Sequence, residues 1–155
     1  MKQTPTVSIA LCTHNGGQFL SEQLKSILYQ TLQPNEIIIC DDDSSDNTLE
    51  TIQQFSELLP IKLYQNTPAL GTIKNFEYAV SLCSNEIIFL CDQDDHWLHH
   101  KIETLVNLLD ENTCQEFVFS NAVIVDDELQ DLQTTMWEKC GFGREKSKNG
   151  KVEEP

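Results

Sequence analysis

The sequence predicts an α/β fold, a mostly parallel sheet with helices on both faces, on three observations. Short apolar runs alternate with segments of helical period, four times over. Two of those runs, Ile37–Cys40 and Ile87–Cys91, are continuously apolar, as strands buried on both faces are. Prolines and clusters of turn residues separate the segments.

Taken in order, Val7–Cys12 is the first strand, closed by the break His14-Asn15-Gly16-Gly17. Leu20, Leu24, Ile27 and Leu28 then recur at helical spacing, and Pro34 ends that helix. Glu36–Cys40 is the second strand. Asp41–Asn47 supplies turn and cap chemistry for a helix carrying Leu49, Ile52, Phe55 and Leu59, which Pro60 stops. Ile61–Tyr64 is a short third strand, followed by a loop over Asn66–Gly71. Ile73, Phe76, Ala79, Val80 and Cys83 mark one side of a third helix. Glu86–Cys91 is the fourth strand, and Leu98, Ile102, Leu105, Val106 and Leu109 the fourth helix. Phe117–Val125 reads as a further strand, bent near Ser120-Asn121. Beyond Gln130 the pattern dissolves, and five of the ten Lys and Arg residues fall between 139 and 151. The expected division is therefore a domain over 1–128 and a poorly ordered tail over 129–155.

At 155 residues the chain suits a single core. A net charge of −15 with no basic stripe excludes nucleic acid as a partner. The N-terminal segment has no apolar stretch suited to a signal peptide, and no apolar run is long enough to span a bilayer, so the expected location is cytoplasmic. The six cysteines include no C-x-x-C pair, and Cys12, Cys40 and Cys91 end apolar segments, so reduced, structural thiols are expected. An acidic chain holds a phosphorylated ligand only where metal ions, helix N-termini or local cations offset the repulsion.

In a doubly wound sheet, ligands bind beyond the carboxyl ends of the strands. Thr13-His14-Asn15 follows the first strand, Asp41-Asp42-Asp43 the second, and Asp92-Gln93-Asp94-Asp95 the fourth. Six carboxylates on one sheet edge repel one another unless a cation sits among them. Hard oxygen donors of this kind suit Mg2+ or Mn2+, shared with substrate phosphates. Either cluster alone is as readily a helix cap. Both together, each directly after a buried strand, favour a binding site. His96, His99 and His100 lack a second ligand pair for zinc, and Trp97 reads as core packing before it reads as a pocket wall.

Four blocks, in order, resemble the family 2 glycosyltransferases of the GT-A (Rossmann-like) fold, in particular the rhamnosyltransferase-like members. They are Val7-Ser-Ile-Ala-Leu-Cys-Thr-His-Asn-Gly16, Glu36-Ile-Ile-Ile-Cys-Asp-Asp-Asp-Ser-Ser-Asp-Asn-Thr48, Asn66-Thr-Pro-Ala-Leu-Gly-Thr-Ile-Lys-Asn75 and Cys91-Asp-Gln-Asp-Asp-His-Trp-Leu98. The resemblance covers residues 7 to about 126 and implies a nucleotide-diphosphate sugar as donor, with a saccharide or lipid-linked acceptor. It implies nucleotide-binding roles for Thr13, His14, Asn15, Asp41, Asp42, Lys74, Asn75 and Asp92, and places Asp94 and Asp95 nearest a Mn2+ or Mg2+ ion. Within it, Thr13 and His14 border the base, with His14 standing where tyrosine is more frequent. Asp42 accepts from a pyrimidine imide, which favours UDP or dTDP over GDP sugars. Asp43 stands where a small residue is more frequent. The Phe119–Ala122 segment leading into Asp126-Asp127 borders the sugar site in the family, though a solvated turn fits these residues equally well.

The carboxylate base of inverting members, and the acceptor-binding part with it, is not found after Asp127, so the catalytic residue is unassigned and the fold is expected to be truncated. Two readings follow: a glycosyltransferase of cell-surface polysaccharide synthesis, or a truncated or non-catalytic nucleotide-sugar-binding module. An open sheet edge would favour self-association or a completing partner chain. The basic tail is suited to peripheral contact with the inner membrane face, although a solvated tail is the plainer reading. A phosphoryl-transfer domain fits poorly, since Lys101 is the one residue suited to partner a nucleophilic Asp and no such Asp is evident.

Overall fold

A computed structural model describes residues 5–109 and 117–142 of the chain. It divides into two compact units, residues 1–114 and 115–155. The first unit runs β1 (Val7–Thr13), α1 (Leu20–Leu28), β2 (Glu36–Asp42), α2 (Thr48–Phe55), β3 (Ile61–Asn66), α3 (Thr72–Leu82), β4 (Ile87–Asp92) and α4 (Lys101–Leu108). Its four strands form one parallel sheet in the order β3-β2-β1-β4. The α/β architecture expected from the apolar runs is therefore present, with β1 and β2 buried along their whole length.

Side-chain alternation sorts the helices onto two faces. Ala10, Cys12, Ile38 and Cys40 point to one face, where Ala79 of α3 is buried against them with Phe76, Val80 and Leu82 alongside. Leu11 and Cys91, register partners on β1 and β4, have the opposite parity. There Gln23 of α1 donates to the Cys91 sulfur at 2.7 Å. Two residues past the end of that helix, the Gln30 carboxamide accepts from Ile102 N at 3.1 Å and donates to Leu98 O at 2.8 Å, which seats α4 beside α1. Trp97 fills the corner, 2% exposed, its ring 5.8 Å from Phe89. It precedes α4 rather than opening it. Leu98, expected in the fourth helix, is outside it and 64% exposed. Ile73, expected on the inner side of α3, is 85% exposed; Asn75, two residues on, turns inward and donates to Cys40 O at 2.8 Å. On β4, Ile88 and Leu90 are also exposed, on a strand with no outer neighbour among the described residues.

Where the strands begin, a single carboxylate joins four segments. Glu36, 3% exposed, accepts from Ser8 Oγ of β1 at 2.7 Å and from Lys62 Nζ of β3 at 2.7 Å. It also accepts from Ser84 N at 2.7 Å and Ser84 Oγ at 2.9 Å, in the turn before β4. Ser8 Oγ in turn accepts from Asn85 Nδ2 at 3.0 Å. Burial works to raise the Glu36 pKa, but the hydrogen bonds from Lys62, Ser8 and Ser84 outweigh it and lower the value from 4.5 to about 2.

The second unit, by itself, holds β5 (Val123–Val125) and β6 (Asp131–Thr135), an antiparallel pair, and α5 (Met136–Lys139). The strand expected over Phe117–Val125 is thus confined to its last three residues. Asn121 Oδ1 accepts from Ala122 N and from Trp137 N, which takes the backbone before Val123 out of a ladder. Two elements, β6 and α5, lie where the sequence suggested an unstructured tail. A capping box starts α5: Thr135 Oγ1 accepts from Glu138 N, and Glu138 Oε2 accepts from Thr135 N at 2.8 Å. Phe119 packs edge to face against Trp137 and Phe142, whose rings tilt against each other, within the unit. The rest of the expected tail, including most of its basic residues, lies outside the described residues. Among the described residues no helix is long and apolar enough to cross a membrane.

The lowered Glu36 pKa sets a pH window. Folding then favours the ionised form, so its contribution is complete above pH 4.5 and is lost as pH falls from 4.5 towards 2. Glu36→Gln should cost on the order of 3 kcal/mol at neutral pH. The gap in melting temperature between wild type and variant should narrow steadily below pH 4.5. Melting curves from pH 7 to 2.5 check this, and a gap independent of pH would refute it.

Candidate functional site

Parallel register brings the carboxyl ends of β1, β2, β3 and β4 to one edge: Thr13 lies beside Asp41, Cys12 beside Asp92, and Asp42 beside Asn66. The loops that leave this edge are tied to one another. Asn15, at φ 49°, accepts from Ser45 N at 2.9 Å and donates its own N–H to Ser44 Oγ at 2.9 Å. Gly16 N donates to Thr48 Oγ1 and Gly17 N to Asp46 Oδ2, each at 2.9 Å. A Cβ on Gly17 would stand 1.9 Å from Asn47 Oδ1 and 2.9 Å from Asp46 Oδ2, so a side chain there would displace the groups that tie the two loops.

Two buried aspartates supply most of the remaining ties. Asp41, 1% exposed, accepts from Thr13 Oγ1 at 2.8 Å, from Ser44 N at 3.0 Å and from Ser44 Oγ. Asp42, 4% exposed, reaches the loop between β3 and α3: Oδ1 accepts from Leu70 N at 2.8 Å and Asn66 Nδ2 at 2.9 Å, and Oδ2 from Gly71 N at 2.8 Å. Burial alone would raise the Asp42 pKa, yet the donors at Leu70, Asn66 and Gly71 prevail and hold it below the usual carboxylate range. Asn75 closes the network, accepting from Asn66 Nδ2 at 2.8 Å. His14 stays exposed, with its Nδ1 2.6 Å from Asp42 O.

The residues singled out in the sequence therefore fall into two groups. Thr13, Asn15, Asp41, Asp42 and Asn75 are engaged in hydrogen bonds between strand ends and loops. Lys74, Asp92, Asp94 and Asp95 are exposed, and among the described residues no hydrogen bond engages the side chains of Lys74, Asp94 or Asp95. Partial burial raises the Asp92 pKa, and the charges of Asp95 and Asp94 raise it further. This loop therefore holds an excess of negative charge, which Lys101 offsets in part at Asp95. Among the described residues no group of three His, Cys, Asp or Glu side chains forms a ready metal cage. Mg2+ and Mn2+ do not require one, since they take one or two carboxylates and complete their shell with water and substrate phosphates. An open loop of hard oxygen donors fits such an ion.

The other candidates are structural. Trp97 is packed in the core, and Lys101 Nζ lies over its ring, 4.6 Å from the centroid. His96, His99 and His100 are exposed. Cys12, Cys40, Cys83, Cys91 and Cys140 are unpaired, and Cys114 lies outside the described residues. Burial drives Cys12 up to about 12 and Cys40 to about 11, so neither is a thiolate at neutral pH. Asp126 accepts from Glu128 N and Gln130 N, each at 2.9 Å, and so holds the turn before β6. Sequence reasoning passed over Asp46, Asn66 and Gln93. For Asp46 the signal was present, an Asp two residues before Thr48 in an Asx turn. For Asn66 and Gln93 only the structure shows the partner.

The parallel sheet with its polar and acidic loops at one carboxyl edge is a fold shared with the GT-A glycosyltransferases. Residues 8–153 match the family described as glycosyl transferase family 2, and the chain belongs to that family. It is 33% identical over 120 residues to the UDP-Glc:alpha-D-GlcNAc-diphosphoundecaprenol beta-1,3-glucosyltransferase WfgD of Escherichia coli, covering 77% of this chain and 47% of that protein. It is 34% identical over 119 residues to the dTDP-rhamnosyl transferase RfbG of Shigella flexneri, covering 72% of this chain and 38% of that one. The chain thus spans less than half the length of these relatives. Among solved structures, S. aureus TarS 1-349 in complex with UDP superposes with a TM-score of 0.64 at 24% identity, over 68% of this chain and 32% of that one. The mannosyltransferase PcManGT from Pyrobaculum calidifontis, in complex with GDP-Man and Mn2+, gives 0.62 at 22%, over 81% and 37%. At such identities these two show the fold.

The division into tied and free carboxylates has a direct consequence for stability. Asp42→Ala strands two backbone N–H groups and the Asn66 amide, and should cost about 3 kcal/mol or more. Asp94→Ala and Asp95→Ala remove like charge from an exposed loop and should change stability by less than about 0.5 kcal/mol, or raise it. Urea titration of the three variants checks this; equal losses in all three would contradict the division.

Proposed function

We propose that the chain carries the donor-binding half of a glycosyltransferase that uses a nucleotide-diphosphate sugar, with UDP or dTDP preferred to GDP. The observation that carries this reading is the contrast at the strand ends. A rim of loops is locked by Asp41 and Asp42, while Asp92, Asp94 and Asp95 stand together as an excess of negative charge over Lys101, the cation that interacts with Asp95, and Lys74 is exposed on α3. Asp42 Oδ2 accepts one hydrogen bond and keeps a lone pair for the imide N–H of a pyrimidine. His14 offers an exposed ring for the base, Lys74 a cation for the diphosphate, and Asp92 a carboxylate for ribose. Asp94 and Asp95 would hold a Mn2+ or Mg2+ ion, which when bound supplies positive charge for a departing diphosphate.

The acceptor class we infer is a saccharide or lipid-linked sugar of cell-surface polysaccharide synthesis, with the protein at the cytoplasmic side of the membrane. Support comes from the E. coli relative, whose name gives a diphosphoundecaprenol-linked acceptor. A second reading, a nucleotide-sugar-binding module without transfer activity, is favoured by one observation: after Asp127 the strand-to-helix junction among the described residues carries Glu138, whose carboxylate is taken up by the capping box on Thr135 rather than left open to act as base.

Calorimetric titration of UDP, dTDP and GDP, with and without Mn2+, tests donor binding. The expected result is pyrimidine binding strengthened at least tenfold by Mn2+ and reduced to the metal-free level in Asp94→Ala/Asp95→Ala. Binding that ignores both metal and variant would overturn the reading. Sugar transfer to a lipid-linked acceptor would rule out the non-catalytic module.

A further inference from the structure

The residue between the acidic positions does something the acidic residues do not. Gln93 turns its carboxamide back across the sheet edge to the loop after β1. Its Oε1 accepts from His14 N at 2.9 Å, and its Nε2 donates to His14 O at 3.2 Å. One side chain thus satisfies both halves of one peptide-bonding residue, a two-point contact that fixes orientation as well as distance. It also fills the space above Gly16. A Cβ built there would stand 2.2 Å from Gln93 Oε1 and 2.5 Å from Gln93 Cδ. Gly16 has no left-handed φ that would itself demand glycine, so the space kept for Gln93 is the reason for the absent side chain.

The two loops depend on this contact unequally. The β1 loop is held to the β2 loop through Asn15, Gly16 and Gly17, and the His14 ring contacts Asp42 O. The segment 93–96 has no such reserve. Among the described residues, the hydrogen bonds that leave it for another loop are both made by the Gln93 carboxamide. Without that anchor, Asp94 and Asp95 sit on a segment tied at its ends alone, by Asp92 in β4 and by buried Trp97, whose N–H donates to Ser26 Oγ at 3.1 Å. Ordering such a loop on each binding event would cost affinity.

We propose that Gln93 is a positioning residue that holds the acidic loop in register with the base-side loop, so that metal and nucleotide are bound by one preassembled rim. The inference rests on the donor-site reading above. Removing Gln93 should leave base recognition in place and uncouple it from the metal.

The test compares wild type with Gln93→Met, which keeps the bulk over Gly16 and loses both hydrogen bonds, and with Gly16→Ala, which displaces Gln93 from the other side without altering the acidic loop. Calorimetry of uridine without metal, and of UDP with and without Mn2+, gives the readout. In both variants uridine affinity should stay within about twofold of wild type, while the Mn2+ enhancement of UDP binding falls about tenfold, a loss of coupling near 1.4 kcal/mol. Should one variant fail to fold, the other carries the same expectation. Unchanged Mn2+ enhancement in a folded variant overturns the role given to Gln93. A parallel loss of uridine binding overturns it too, since it would mark general damage to the rim. A wild type with no Mn2+ enhancement would instead remove the donor-site reading, and this inference with it.

Discussion

The strand-end rim depends on carboxylates that have been taken out of solvent and given donors. Asp41 and Asp42 close β2 at the sheet edge, each almost fully buried and each accepting three hydrogen bonds. A buried carboxylate without partners would cost several kcal/mol, so these donors are obligatory and their loops have little freedom. Because β2 sits between β1 and β3, one pair of residues reaches the loops on both sides. Parallel register does the rest, delivering β4 and its acidic loop to the same edge.

This arrangement separates acids that build from acids that are left to bind. The chain carries 25 Asp and Glu against 10 Lys and Arg, and one aspartate run would look much like another. Burial and donor supply distinguish them. Asp42 and Asp46 are pulled below the usual carboxylate range, whereas Asp92 is pushed above it by burial and by its neighbours Asp95 and Asp94. A group held ionised by fixed donors ties the loops together, whatever ligand its remaining lone pair meets. A group destabilised by like charge gains when a cation arrives, and that gain is available to a ligand that brings or recruits one.

The sheet was legible because its strands are continuous apolar runs, and the site edge because each motif directly follows one of them. The strand order was not, since apolar pattern carries no record of which strand pairs with which. Asp41 and Asp42 were recognised as important, but a resemblance gives roles by position and does not show that Leu70 N and Gly71 N already occupy Asp42. Gln93 escaped notice because a lone glutamine between aspartates has no periodicity or charge to mark it. In the second unit, β6 was missed because Asp131–Thr135 carries a single apolar residue, Leu132, so no alternation marks it, and its ladder is irregular where Gln133 adopts left-handed backbone at φ 57°. Its partner β5 was extended too far for the complementary reason: Phe117 and Val118 are apolar, yet Asn121 withdraws the backbone from pairing.

In this arrangement the rim is assembled before any ligand binds. Residue-resolved amide hydrogen exchange on the free protein tests it most directly, at Gly16, Gly17, Leu70 and Gly71, whose N–H groups donate to Thr48, Asp46 and Asp42. These four lie in loops, where exchange is ordinarily fast. The account predicts protection of at least a hundredfold over the unfolded rate without nucleotide or metal, lost at Leu70 and Gly71 in Asp42→Ala. Exchange at the unfolded rate until nucleotide is added would contradict it, and would make the rim a product of binding rather than its foundation.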